Sequence, residues 1–159
     1  MKRSISFLLI FLLCIGLLAG CKKDTAVISY QFEDLIIQIP EDYINLSEED
    51  IAEGLVFVFG QDPIAINGLR EEKALFEAYG LDLDLQTYAD LICKSNNLVS
   101  APEQKNDIWT FTYESGELTY VVTLWETEVA YWMVQAYCPT TDYSNVKNAI
   151  WDILSSVTV

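Results

Sequence analysis

The 159-residue sequence contains no histidine. Imidazole is the base of Ser-His-Asp and Cys-His nucleophilic catalysis and the usual nitrogen donor to zinc, so its absence removes those classes. Basic residues are scarce as well: 9 Lys and Arg stand against 24 Asp and Glu, a formal net charge of −15. Binding nucleic acid requires a basic footprint, so no nucleic-acid partner is expected. Glycine and proline number only 7 and 4, and the sequence holds no glycine-rich phosphate loop, no Cys-x-x-Cys pair and no internal repeat. What is abundant is apolar: 52% of residues are hydrophobic and 13% aromatic, the composition of a folded domain. Neither a metal nor a cofactor is expected. Asp82 and Asp84 alternate with leucines, but the glycine and closing Glu of a calcium loop are missing, and the pair reads as acids at a helix start.

The first residues are organised differently from the rest. Lys2 and Arg3 precede the uncharged run Ile5–Ala19, which Leu18, Ala19, Gly20 and Cys21 close. That order is a secretory signal peptide, and the run falls short of the roughly 20 apolar residues a membrane-spanning helix needs. Its last four residues resemble the lipobox of bacterial lipoproteins, which implies cleavage before Cys21 and a thiol carrying diacylglyceryl with palmitate-type chains. Two acyl chains, at about 0.8 kcal/mol per buried methylene, anchor stably where one is marginal. The expected organisation is residues 1–20 as signal peptide, 21–26 as lipidated cysteine and short tether, and 27–159 as a single domain. Removing 20 of 159 residues leaves 139, a length suited to one core. Lys22 and Lys23 are attracted to anionic headgroups, whereas the acidic remainder is repelled. The expected location is the cell envelope, on the outer face of the cytoplasmic membrane or on an outer membrane where the cell has one. Once Cys14 leaves and Cys21 takes the lipid, Cys93 and Cys138 remain, open equally to a disulfide and to two buried thiols.

Along the domain, Val27–Phe32 and Leu35–Ile39 are β-branched and aromatic runs parted by Glu33-Asp34, which predicts two strands and a tight turn, with Pro40 as a stop. Ser47 followed by Glu48, Glu49 and Asp50 predicts a short capped helix ended by Gly54. Leu55–Phe59 and Ile64–Asn67 read as strands, and Arg70–Tyr79 as a helix closed by Gly80. Leu85–Asn96 reads as a second helix, with Leu85, Tyr88, Ala89 and Ile92 on one face. Pro102–Asn106 reads as a polar loop. Trp109, Phe111 and Tyr113 alternate with Thr110 and Thr112; a turn at Ser115-Gly116 and a return strand Leu118–Trp125 complete a hairpin. Val129–Tyr137, apolar on both faces, is a central strand. Val146, Ala149, Ile150, Ile153 and Leu154 form one stripe of a closing helix, and Val157–Val159 a short terminal strand.

Taken together, the strand ending in Ile39-Pro40, the helix Leu85-Gln86-Thr87-Tyr88-Ala89, the aromatic hairpin Trp109–Trp125, the strand Tyr131–Tyr137 and the helix before Ser155-Ser156-Val157 resemble the PsbP/Mog1-like fold, in particular DcrB-like bacterial lipoproteins. The resemblance implies an α+β fold, an antiparallel β-sheet sandwiched by helices, used for binding and assembly: photosystem subunits, a nuclear-import cofactor, chaperones for secreted effectors. The expected function is a membrane-anchored, extracytoplasmic, non-enzymatic domain that binds another envelope component, a protein partner. One alternative is a chaperone-like holder of an apolar segment, which requires a concave aromatic groove. Another is a hydrolase, which requires two close carboxyl groups, one with a raised pKa. Candidate binding residues are Arg70, the one arginine beyond the signal peptide, suited to a ligand carboxylate or to a nearby Glu, and Trp151, which falls outside its helix's apolar stripe. Trp109, Phe111, Tyr113, Tyr131, Trp132 and Tyr137 either line a groove or fill the core.

Overall fold

The structure is a computed structural model that describes residues 25–47, 54–105 and 108–159. Cys21, the motif Leu18, Ala19 and Gly20, and the helix expected after Ser47 lie outside the described residues. In chain order the elements are β1 (Val27–Phe32), β2 (Leu35–Pro40), β3 (Ile44–Asn45), β4 (Leu55–Gln61), β5 (Ile64–Glu72), α1 (Lys73–Ala78) and α2 (Leu85–Ser95). They continue as β6 (Glu103–Lys105), β7 (Ile108–Ser115), β8 (Leu118–Glu126), β9 (Ala130–Pro139) and α3 (Tyr143–Leu154). Seven strands form one antiparallel sheet in the order β3-β4-β5-β9-β8-β7-β6, and β1-β2 form a separate two-stranded hairpin. The architecture is the expected α+β arrangement of an antiparallel sheet with helices on either side.

The front face of the sheet is covered by the β1-β2 hairpin and α3. Side chains alternate across a strand, so β2 sends Leu35, Ile37 and Ile39 inward, all fully buried, while Ile36 and Gln38 face outward. They meet Phe57, Phe59, Ile66, Trp132 and Val134 from the sheet and Ile150, Ile153 and Leu154 from α3 in one cluster. Gly68 is part of this packing: a Cβ there would stand 2.3 Å from the Phe57 ring, so the ring rests on bare backbone. Ala149, expected on the apolar stripe of α3, is exposed.

The back face is covered by α1 and α2. Asp84 caps α2 by accepting from the Thr87 amide at 2.7 Å, which places Tyr88, Ala89 and Cys93 down onto the sheet. Tyr88 stacks on Tyr131 with centroids 4.3 Å apart, and Phe76 of α1 meets both rings edge-on. Gly80, with φ +75, takes the left-handed position just past α1.

The central strand is β9, as its two-sided apolar pattern predicts, flanked by β5 and β8. Elsewhere the structure corrects the sequence reading. The helix expected from Arg70 begins at Lys73, because Leu69–Glu72 pair with Met133–Ala130 and tertiary pairing outweighs local propensity. The polar loop expected at Pro102–Asn106 contains strand β6, whose Glu103, Gln104 and Lys105 pair with β7; fully exposed, they carry no burial period to read. The hairpin turn is Gly116-Glu117 rather than Ser115-Gly116, since Ser115 pairs with Leu118 and Gly116, at φ +61, occupies the left-handed position. The terminal strand is reduced to one bridge between Thr158 and Ile36.

Candidate functional site

Helix α2 is short, and it covers only part of the back face. Beside it lies a cavity of about 350 Å³, walled by Ile92 and Leu98 and floored by Leu69, Tyr113, Met133 and Gln135. Beyond the cavity, Tyr113, Tyr120 and Tyr137 stand opposite one another on β7, β8 and β9. Their rings stack at 4.8 and 5.2 Å, close to the separation of neighbouring strands, and all three are half-buried. Burial pushes the Tyr113 and Tyr137 phenols above their usual pKa, with the neighbouring Tyr120 adding to it. The row offers phenol hydroxyl groups that both donate and accept.

Asn67 sits on the same face, directly opposite Gln135 and two residues from Leu69, both of which line the cavity. It is 6% exposed, and its Oδ1 is buried with no hydrogen-bond partner among the described residues. A buried acceptor left unpaired costs about 1–3 kcal/mol, so this amide beneath the open half is a local cost of the fold. The open half of the back face thus combines an apolar hollow, a row of phenols and an unsatisfied amide. Such a surface suits noncovalent recognition: a few placed polar groups within an apolar lining.

A second hollow, of about 380 Å³, lies where β1, β2, α3 and the β4-β5 turn converge. Val27, Pro40, Ile64 and Ile153 line it, with Asp42, Asp62 and Asp152 among them and no Lys or Arg among the described residues. Tyr43 also lines it, and burial, aided by the charge of Asp42, raises its phenol to about 12.

The residues singled out in the sequence are not gathered at either place. The Arg70 guanidinium, with a side chain 12% exposed, pairs with Glu33 at 2.9 Å, Asp34 at 3.5 Å and Glu72 at 3.3 Å, tying the β1-β2 turn to β5. Its Nε and Nη1 are engaged within the chain, which makes it a structural clasp between the β1-β2 turn and β5. Asp34 also accepts from the Trp132 indole at 2.7 Å. Burial works against ionisation of Asp34, but the nearby Thr127 side chain, the Trp132 indole hydrogen bond and the Arg70 charge outweigh it and lower its pKa. A catalytic acid needs the opposite shift. Trp151 faces β6, where Lys105 lies 4.7 Å above its ring. Cys93 and Cys138 do not form a disulfide: both are free and buried, Cys93 in the back cluster and Cys138 in the front one.

The aromatic set divides between the faces. Trp132 fills the front core, Phe111 and Tyr131 pack beneath α2 with Trp109 against that cluster, Phe111 also lining the cavity, and Tyr113 and Tyr137 are half-buried on the open half. Sequence reading missed Tyr120, Asn67 and Asp34. Tyr120 was readable as the same-face neighbour of Val122 on the return strand, and Asn67 as a polar residue inside the apolar run Ile64–Gly68.

No family model and no curated protein matches the sequence. Solved structures do match by fold. The solution structure of cyanobacterial PsbP from Synechocystis aligns at TM-score 0.54 and 11% identity, covering 91% of this chain and 99% of that one. The Saccharomyces cerevisiae Ran-binding protein Mog1p aligns at TM-score 0.54 and 10% identity, covering 86% and 96%. The chain therefore has the PsbP/Mog1-like fold.

Proposed function

We propose that this chain is a lipid-anchored, extracytoplasmic domain that binds another protein of the cell envelope through the half of its back face that α2 leaves open. The observation that carries the binding reading is the cavity beside α2 with the Tyr113-Tyr120-Tyr137 row and the unpaired Asn67 oxygen. Mog1p, of the same fold, is a Ran-binding protein, which supports protein recognition as a use of this architecture. The address rests on Lys2, Arg3, the uncharged run and Cys21. A non-catalytic role is favoured over paired-carboxylate hydrolysis because the neighbouring carboxylates Glu33 and Asp34 are clasped by Arg70. Holding an apolar segment of an exported client is a second reading, favoured by the apolar lining of Leu69, Ile92, Leu98 and Met133.

Two measurements test these parts separately. Labelled palmitate should enter the wild-type chain and not Cys21→Ser, which should leave the membrane fraction; label retained by the variant would overturn the anchor. A photo-crosslinking residue at position 120 should capture one envelope protein that the same residue at the exposed Leu75 does not. Identical capture from both positions, or none from position 120, would overturn binding at the open face. An equal yield from a synthetic apolar helix added in competition would favour the client-holding reading.

A further inference from the structure

We propose that β1 is an acceptor edge for an extended segment of a partner protein, one with apolar side chains at alternate positions and a Lys or Arg at the end beside Val27. Strand β1 pairs on one side only, with β2. The far edge of β2 is already occupied, by Thr158 bonding Ile36 at 2.8 and 2.9 Å and by the Ser156 hydroxyl at Gln38. Among the described residues nothing pairs with the outer edge of β1. An unpaired edge is a template for another strand, and proteins ordinarily blunt it with short length, charge, proline or a bulge. Here β3 is two residues long and β6 carries Glu103 and Lys105. β1 has none of these devices: six residues, Val-Ile-Ser-Tyr-Gln-Phe, in continuous register with no charge, in a chain where 21% of residues are charged.

Its side chains are also incompletely covered. Val27 is 57% and Ile28 44% exposed, and Tyr30, tilted against Phe59, and Phe32, stacked on Phe57, are only half-buried. A strand laid along β1 would satisfy its outward amides and carbonyls and cover that apolar margin. The charge of the occupant follows from the neighbouring hollow. Val27 is both the first residue of β1 and part of the lining that holds Asp42, Asp62 and Asp152 with no Lys or Arg among the described residues. A long basic side chain at the adjoining end of the guest strand has an apolar floor for its stem and carboxylates for its head. A second copy of this chain is disfavoured as guest, since each brings a net charge of −15 and the same acidic hollow.

The test uses the full chain in detergent and a labelled synthetic peptide, Lys-Thr-Val-Thr-Val-Thr-Val. A Glu-headed counterpart and a fully N-methylated counterpart, which keeps the side chains but loses the donors, serve as comparisons. The parent peptide should bind at least about tenfold more tightly than either, and hydrogen exchange should slow at amides of Val27–Phe32. The triple variant Asp42→Asn, Asp62→Asn, Asp152→Asn should erase the preference for Lys over Glu while retaining the preference over the methylated peptide. Equal binding of the methylated peptide, protection elsewhere than β1, or no binding by the parent peptide overturns the proposal. Sedimentation showing a dimer abolished by Ser29→Lys with Gln31→Lys overturns the partner assignment and gives the edge to a second copy.

Discussion

The two faces of the sheet are built from the same strands and finished differently. Along β9, Trp132, Val134, Ala136 and Cys138 point to the front and are all buried; Tyr131, Met133, Gln135 and Tyr137 point to the back, and only Tyr131 is buried. The difference lies in the covering layer. In front, a hairpin and a 12-residue helix together span the sheet, whereas behind it α2 has 11 residues and α1 only 6. Residue types follow the cover: the front cluster is aliphatic and aromatic, and the open back adds Asn67, Gln135 and three phenols. Completeness of burial is thus a property of each face, and the incomplete one is where a second molecule has something to gain.

Substitutions on the two faces should separate most sharply at large side chains. Trp132→Ala, emptying a fully buried front position, should cost about 3–5 kcal/mol in urea unfolding. Tyr120→Ala on the half-buried row should cost about 1 kcal/mol or less. Equal costs would mean that the back row is as much core as the front. Gly68→Ala, driving a methyl into the Phe57 ring, should cost about 1–3 kcal/mol and be relieved by Phe57→Leu.

The front clasp should also show in acid. The folded-state pKa of Asp34 lies below its unfolded value of about 3.9, so its contribution is present above that value and lost as pH falls through the folded pKa. Asp34→Asn should flatten the pH dependence of thermal stability below about pH 4; an unchanged slope would remove Asp34 from the account. On the back face, Asp84→Ala should lower stability by uncapping α2. It should also speed hydrogen exchange in Tyr88–Cys93 while leaving α3 unchanged.

Much of the fold was legible. The β1-β2 pair, the hairpin of β7 and β8, the two-sided pattern of β9, the capped α2 and the stripe of α3 all announce themselves by period or cap. Strand β6 was illegible because a fully exposed polar strand has no alternation, and the start of α1 because Arg70 and Glu71 suit helix and strand alike until β9 pairs with them. The candidate site was legible only in fragments. Tyr113 and Tyr137 are visible as aromatics, but nothing local says that they share an uncovered half-face while Phe111, two residues from Tyr113, goes under α2.

What the sequence determined by itself is whatever depends on near neighbours: the alternation that makes β2 and β7 two-sided, the Asp84 cap, the left-handed glycines and the acidic balance. Only the tertiary structure decided that Arg70 pairs with Glu33 and Asp34, that Cys93 and Cys138 lie on opposite faces, and that the tyrosine row stays half-buried near the buried, unpaired Asn67 oxygen. Those outcomes depend on which strands become neighbours and how far each covering layer reaches. Both are set by packing between segments remote in the chain, and no local pattern encodes them.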